Sequence, residues 1–239
     1  MVTGANTGLG QAIAVALAEA GADIVAVGRT DPAETKAAVL AVGRRFIAVQ
    51  ADLGATPAIP MIVGAALAEF SRIDILVNNA GIIRRSDAVD FTAADWDAVM
   101  DVNLKSAFFL TQAIGRLMIE AGYGKVINIA SILSFQGGIR VASYTASKSG
   151  IAGLTRLLAN EWAGKGVNVN AIAPGYFATN NTQALRADEK RNQDILARIP
   201  AGRWGKPSDL GGAAVFLAAP ASDYVHGAII PVDGGWLAR

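Results

Sequence analysis

Short apolar runs alternate along the chain with longer stretches of helical periodicity. The first run is residues 1–3, and six further runs of five to seven residues follow it. These six runs cover residues 23–27, 46–51, 73–78, 125–131, 167–173 and 228–232. Helical patterns cover residues 11–20, 95–121, 144–164 and 208–219. The chain therefore predicts strands and helices in alternation, which is the order of an α/β protein.

Several of the short runs are apolar at every position, as in Ile75-Leu76-Val77. Strands buried on both faces are typical of parallel sheets that have helices on each side. We predict a doubly wound, mostly parallel, Rossmann-like α/β sheet in a single dinucleotide-binding and catalytic domain spanning residues 1–239. Residues 175–205 are the least regular stretch, and we predict that they cover a site rather than form a second domain.

The first strand is unusually short. Only Met1-Val2-Thr3 precedes the first glycine, whereas a usual strand has about five to six residues. Either residues are missing before Met1 or the centre of the sheet is weakened, and the sequence is compatible with both.

Composition narrows the classes of function. Of the 239 residues, 52% are hydrophobic and 17% are charged, as in a folded globular protein. A net charge of +1 gives no electrostatic reason to expect nucleic-acid binding. The chain has no cysteine and one histidine, so we expect neither disulfides nor a metal site. No run of about 18 apolar residues predicts a membrane span. We therefore expect a soluble cytoplasmic protein.

A glycine-rich loop follows the first strand in the pattern Gly4-x-x-x-Gly8-x-Gly10. Glycines at such a turn let the backbone approach a diphosphate, and the helix beginning near Gly8 directs free amide groups at the anion. The loop is therefore a candidate dinucleotide site. An ordinary strand-to-helix turn is the alternative, because glycine triplets are common in α/β proteins.

A candidate proton-transfer group lies further along the chain. Tyr144 and Lys148 are four residues apart and share a face of a predicted helix. A nearby ammonium is expected to lower the pKa of the phenol, so that Tyr144 exchanges a proton with an alcohol or ketone. Ser131, at the end of a predicted strand, can donate a hydrogen bond to the substrate oxygen.

These motifs, taken together and in order, are specific. They are Thr3-Gly4-x-x-x-Gly8-x-Gly10, Asp52-Leu53, Asn78-Asn79-Ala80-Gly81, Val102-Asn103-Leu104, Ser131, Tyr144-x-x-x-Lys148, and Pro174-Gly175 with Thr179. The chain resembles the classical short-chain dehydrogenase/reductase family over essentially its whole length. Residues 129–138, 173–182, 199–205 and 233–239 further resemble a subgroup that oxidises keto-deoxy sugar acids.

The resemblance implies roles for named residues. Ser131, Tyr144 and Lys148 would be catalytic, Lys148 would also bind the nicotinamide ribose, and Asn103 would hold a proton-relaying water. The remaining cofactor contacts would come from Gly4, Asn6, Thr7, Gly8, Leu9, Gly10, Asp52, Leu53, Asn79, Ala80, Gly81, Pro174, Gly175 and Thr179. Relatives are usually tetramers, so a homotetramer is expected.

The choice between NAD and NADP stays open. After the second strand, NAD enzymes often place an acidic residue and NADP enzymes an arginine. Here Gly28 takes the usual acid position and Arg29 follows it, which permits NADP. Thr7 stands where many NADP enzymes carry a basic residue, and the closest resemblance favours NAD. Arg29 is equally compatible with a solvated surface position.

Candidate substrate contacts follow the strand ends. Arg84 and Arg85 come after Asn79-Ala80-Gly81, and a guanidinium can bind a carboxylate through two hydrogen bonds. Gln136 and Asn180 can bond to sugar hydroxyls. Each of these residues is also ordinary in a solvated loop.

Three functions are compatible with a dinucleotide-binding loop and a proton-transfer group. The leading one is nicotinamide-dependent oxidation of a secondary alcohol on a small sugar acid. A reductase for another carbonyl, such as an acyl or steroid substrate, would need apolar pocket walls. A dinucleotide-binding sensor without turnover would be expected to have lost part of the catalytic set, which is complete here.

Overall fold

The computed structural model of the protein describes residues 1–238, so Arg239, the last residue of the predicted domain, lies outside the described residues. The strands are β1 (Val2–Thr3), β2 (Ile24–Gly28), β3 (Phe46–Gln50), β4 (Ile75–Asn78), β5 (Gly124–Ile129), β6 (Val167–Pro174) and β7 (Ile229–Val232). They form one sheet in the order β3-β2-β1-β4-β5-β6-β7, and every pair within the described residues is parallel. The predicted doubly wound parallel fold is confirmed.

Nine helices are described in residues 1–238. They are α1 (Gly8–Glu19), α2 (Ala33–Ala41), α3 (Ile59–Phe70), α4 (Ala93–Met100), α5 (Ser106–Ala121), α6 (Ala142–Trp162), α7 (Gln183–Ala187), α8 (Glu189–Arg198) and α9 (Gly211–Ala218). In this part of the chain, none of the helices is both long enough and apolar enough to span a membrane.

The inner strands of the sheet, β1, β2, β4, β5 and β6, bury both of their faces. In β4, Leu76 belongs to a core that includes Ile62 of α3 and Ile114 of α5, whereas Val77 belongs to a core that includes Ile13 of α1. Successive side chains of a strand point to opposite faces of the sheet. This double burial is why the strands read as continuous apolar runs in the sequence.

The centre of the sheet is short, as predicted, and side chains extend its bonding. The Thr3 hydroxyl oxygen accepts from the backbone amides of Asn79 and Ala80, each at 3.0 Å. The Asn79 side chain returns a bond to the Thr3 carbonyl at 2.9 Å. The two-residue β1 is thereby tied to the end of β4 beyond the ladder itself.

The predicted helix over residues 95–121 is divided. α4 and α5 are joined by a π-helical turn, Asp101–Lys105. Asn103 is buried in that turn, and both polar atoms of its side chain bond to Ile82, at 2.8 Å and 2.9 Å. This contact to a distant loop accompanies the π-helical turn. Helical periodicity alone does not predict such a turn.

Candidate active site

The glycine loop joins β1 to α1 at the carboxyl edge of the sheet, where the strand order reverses between β1 and β4. Gly4 has φ +65° and Gly8 has φ +59°, a left-handed conformation that favours glycine. A Cβ on Gly10 would collide with the Gly4 carbonyl oxygen and with the side-chain amide of Asn79. The loop thus has a fold that only glycine at these positions accommodates.

The amino end of α1 is suited to an anion. Its N-cap residue, Thr7, has an extended backbone and makes no side-chain capping bond within residues 1–238. The first turn of α1 lines a cleft of about 300 Å³. Unpaired amides at a helix amino end attract phosphate, so the cleft fits the diphosphate of a dinucleotide.

Most of the predicted cofactor residues line this one cleft. They are Gly4, Asn6, Thr7, Gly8, Leu9, Gly10, Asn79, Ala80, Gly81, Tyr144, Lys148, Pro174, Gly175 and Thr179, together with Ser131, which is predicted to be catalytic, and with Asn180.

Three predicted cofactor residues do not line the cleft. Arg29 is exposed, and its carbonyl accepts from the Gln50 side chain at 2.9 Å. The Asp52 carboxylate accepts from the Gly54 amide at 2.8 Å in a local turn. Leu53 is buried, and its carbonyl accepts a bond from the Ser106 hydroxyl.

Ser131 and Tyr144 meet where β5 and α6 approach each other. Ser131 lies two residues beyond β5, and its hydroxyl oxygen accepts from the Leu133 amide at 3.1 Å. Tyr144, in the first turn of α6, lies close enough to Ser131 that this hydroxyl acts to lower the pKa of the phenol. The two hydroxyl groups are therefore adjacent, as a shared substrate oxygen requires.

Burial dominates the electrostatics of the pair on α6. It raises the pKa of Tyr144, and the Ser131 hydroxyl and then the charge of Arg85 oppose that rise. Burial also lowers the pKa of Lys148 from 10.5 to about 8. The effect of Lys148 on the pKa of Tyr144 stays a prediction, since the groups that act to lower that pKa here are Ser131 and Arg85. The Lys148 Nζ donates to the Ile129 carbonyl at 2.6 Å and lies 5.6 Å from the centre of the Tyr144 ring.

Asn103 takes a supporting position. Its amide donates to the Ser147 hydroxyl at 3.3 Å as well as to the Ile82 carbonyl. The residue does not line the glycine-loop cleft. Its side chain holds the backbone of the loop that follows β4.

A second cavity, of about 500 Å³, opens beside the first. Ser131, Tyr144, Gly175, Asn181 and Thr182 line both spaces. Because Ser131 and Tyr144 stand at the junction, a molecule in the second cavity would reach their hydroxyl groups while facing the first.

The structure separates the predicted substrate residues. Arg85 and Gln136 line the second cavity, and the Arg85 guanidinium donates to the Asn181 carbonyl at 3.1 Å. Arg84 does not line it, because its guanidinium pairs with Asp95 at 3.1 Å. Asn180 lines the first cleft instead.

Among the lining residues of the second cavity that were not predicted are two aromatic residues and two cations: Tyr176, Trp236, Arg191 and Arg198. Arg191 and Arg198 are two helical turns apart on α8 and so share a face. That spacing, within the segment predicted to cover a site, is the signal that would have found them.

Comparison with known proteins agrees with this arrangement. The profile of a family described as enoyl-(acyl carrier protein) reductase matches residues 4–237. The 2-dehydro-3-deoxy-D-gluconate 5-dehydrogenase of Escherichia coli (strain K12) is 63% identical over 240 residues, covering 100% of this chain and 95% of that protein.

Two solved structures are similar over nearly the whole chain. An Agrobacterium tumefaciens protein with bound NADP, provisionally named 2-deoxy-D-gluconate 3-dehydrogenase, is 61% identical with a TM-score of 0.91 and covers 100% of this chain and 95% of its own. A gluconate 5-dehydrogenase from Burkholderia cenocepacia J2315, in complex with NADP and tartrate, is 39% identical with a TM-score of 0.93 and covers 99% and 94%. The chain belongs to the short-chain dehydrogenase/reductase family of oxidoreductases.

Proposed function

We propose that the protein transfers hydride between a nicotinamide dinucleotide and a secondary alcohol or ketone of a small sugar acid, with 2-dehydro-3-deoxy-D-gluconate as the favoured substrate. The observation that carries the proposal is the position of Ser131 and Tyr144, which line both the glycine-loop cleft and the second cavity. This position supports proton transfer beside a bound dinucleotide.

The chain's own residues perform the proton chemistry. A nicotinamide dinucleotide held at the glycine-loop cleft would supply the acceptor for the hydride. Tyr144 takes the hydroxyl proton, and Ser131 donates a hydrogen bond to the oxygen as its charge develops. Lys148, charged below its pKa of about 8, holds positive charge near the phenolate that forms. In reduction the same residues return the proton.

The substrate class is supported by the second cavity and by the relatives. Three arginines and Gln136 line the cavity together with apolar side chains such as Leu133 and Leu185. The arginine charges favour an anionic molecule over a neutral steroid. The named activity of the 63% identical relative favours 2-dehydro-3-deoxy-D-gluconate over gluconate, which is the next candidate. A complete catalytic set argues against a sensor without turnover.

The proposal is tested with Tyr144→Phe, which deletes one hydroxyl and keeps the ring. Turnover of 2-dehydro-3-deoxy-D-gluconate should fall by about 10²–10⁴-fold, the usual worth of general acid–base catalysis. Dinucleotide affinity, measured by fluorescence titration, should stay near that of the parent. Turnover within a few-fold of the parent would refute the role of Tyr144.

We also propose that the protein accepts NADP as well as NAD, with Arg29 meeting the 2′-phosphate. Arg29 is exposed and has no ion-pair partner among residues 1–238. The Asn6 side chain bonds to Thr30 at 2.7 Å, so the glycine loop and the loop of Arg29 are neighbours. Arg29→Ala should weaken NADPH binding about tenfold or more and spare NADH. Equal losses for both cofactors would show that Arg29 does not discriminate.

Three further features belong to this proposal. Residues 175–205 cover the substrate, because they supply Asn181, Arg191 and Arg198 to the cavity wall.

The side chains of Trp96, Phe109 and Leu157 are exposed on α4, α5 and α6. Such exposed apolar side chains favour burial between the subunits of a homotetramer, which sedimentation velocity would detect. Dependence on a nicotinamide dinucleotide favours the cytoplasm, where that cofactor is supplied.

A further inference from the structure

The wall of the second cavity that α8 contributes differs from the wall at Tyr144. It presents the guanidinium groups of Arg191 and Arg198, next to the rings of Tyr176 and Trp236. We propose that this wall, built around Arg191 and Arg198, is the carboxylate subsite of the enzyme, so that the acid end of the substrate binds α8 while its other end reacts at Tyr144. This inference rests on the proposed function and names the group that selects its substrate class.

The charges of this wall are available. Three arginines outside the lining of this cavity are engaged in ion pairs: Arg84 with Asp95 at 3.1 Å, Arg140 with Asp87 at 3.1 Å, and Arg203 with Asp209 at 2.6 Å.

Arg191 and Arg198 form no ion pair in the described part of the chain, although Asp194 lines the same cavity. Two unpaired guanidinium groups on one helix face suit a planar, bidentate anion such as a carboxylate.

Trp236 packs against Arg198 in this wall. The residue is 4% exposed, and its indole Nε1 is buried without a hydrogen-bond partner among the described residues. A buried donor without a partner is costly, and buried polar groups in folded proteins are nearly always bonded. The wall thus holds an unsatisfied donor beside the Arg198 cation.

Aromatic contacts hold the subsite in place. The Arg198 guanidinium lies 4.2 Å from the centre of the Trp236 ring, and the Tyr176 ring lies 4.7 Å from it. Burial raises the pKa of Tyr176, while the charges of Arg191 and Arg198 act against that rise, which is consistent with both cations lying near the phenol. Such stacking orients a guanidinium before the ligand arrives.

This placement divides the cavity into two working ends. Arg85 lies near the reacting end, since its charge acts on Tyr144, whereas α8 supplies the cations of the acid end. An open-chain acid whose reacting carbon lies several carbons from its carboxylate can bind at both ends at once. A 2-hydroxy acid that reacts beside its carboxylate would not. The subsite therefore selects which carbon reacts as well as which compound class binds.

The test is calorimetric binding of 2-dehydro-3-deoxy-D-gluconate and of its uncharged 1-amide. Binding is measured with saturating NADPH, which leaves an alcohol unoxidised, and again without cofactor. The parent should bind the acid more tightly than the amide. Arg191→Gln and Arg198→Gln should each weaken acid binding about tenfold or more and change amide binding by less than about threefold.

Two variants control for indirect effects. Lys190→Gln removes a cation from the same helix outside the cavity lining and should leave the acid-to-amide ratio unchanged. Arg198→Lys keeps the charge and should restore part of the acid affinity, whereas loss of the Trp236 packing alone would not be repaired by charge.

Equal losses for acid and amide, or a parent that does not distinguish the two, would overturn the subsite. Failure of the protein to oxidise any sugar acid would overturn the proposed function but would leave this binding comparison decisive.

Discussion

At the scale of single residues, two adjacent arginines have different tasks. The sequence predicted both Arg84 and Arg85 as substrate contacts, and the structure brings only Arg85 to the cavity and near Tyr144. The distinction depends on Asp95, eleven residues further along, which pairs with Arg84. Residues 81–87 have no regular structure, so no periodicity told the two side chains apart in the sequence.

Arg85→Gln should move the pH dependence of oxidation. The charge of Arg85 lowers the pKa of Tyr144, so its removal raises that pKa further. If oxidation needs the phenolate, the rising limb of kcat against pH shifts to higher pH. The shift is measured as the pH dependence of kcat in the oxidation direction, in which Tyr144 accepts the proton.

Arg84→Gln is the matched control for this profile, since Arg84 is paired with Asp95 and does not line the cavity. An unchanged limb in Arg85→Gln, or the same displacement in both variants, would separate Arg85 from the proton transfer.

At the scale of elements, the strands were predicted within about two residues and the π-helical turn was not predicted. The run at 73–78 became β4 (Ile75–Asn78), and the run at 167–173 became β6 (Val167–Pro174). Apolar composition locates strands because it reports burial on both faces. The turn accompanies a side chain that bonds a loop about twenty residues earlier, and that contact is not encoded in local periodicity.

Asn103→Ala tests the contact that accompanies the π-helical turn. The change leaves the Ile82 amide and carbonyl without the side chain that bonds both, so unfolding free energy should fall by about 2 kcal/mol. Urea denaturation measures the loss, and the melting temperature should drop by several degrees. Asp101→Ala, which breaks an exposed pair with Lys105 in the same turn, should cost no more than about 0.5 kcal/mol. Similar losses in the two variants would assign the effect to the turn as a whole.

At the scale of the molecule, the reversal of strand order between β1 and β4 brings distant loops to one edge of the sheet. The family motifs therefore indicated most of the first cleft, because the glycine loop, Asn79-Ala80-Gly81, Ser131 and Pro174-Gly175 each lie at or just beyond the end of a strand. The second cavity was less predictable. Its α8 wall packs with Tyr176, Trp204 and Trp236, which come from segments far apart in the chain.

The same molecule contains two buried lysines with opposite consequences for stability. Lys125 is 1% exposed, and its Nζ bonds to Asp223 at 2.6 Å and to Asn168 at 3.0 Å. Lys148 is also buried, but the bond that its Nζ makes is to a neutral carbonyl, and burial lowers its pKa to about 8. A paired buried charge stabilises its partners, whereas a buried charge with no counter-ion raises the energy of the folded state.

Lys148→Met should therefore abolish turnover and stabilise the fold. Because the pKa of Lys148 is lower in the folded chain than the ordinary 10.5, its charged form opposes folding below about pH 8, and this penalty fades between pH 8 and 10.5. Removing the buried charge should stabilise the folded state by about 3 kcal/mol at neutral pH, the free energy that corresponds to the pKa shift. Losing the hydrogen bond to Ile129 should destabilise it by about 1 kcal/mol, so the net stabilisation is about 2 kcal/mol. Urea denaturation at pH 7 and pH 10 should show the gain in unfolding free energy at pH 7 and little of it at pH 10.

Lys125→Met is the control and should destabilise the protein at pH 7, since it removes the bonds that Lys125 donates to Asp223 and to the Asn168 side-chain oxygen. A Lys148→Met variant less stable than the parent at pH 7 would contradict the prediction and place Lys148 among the residues that hold the fold together.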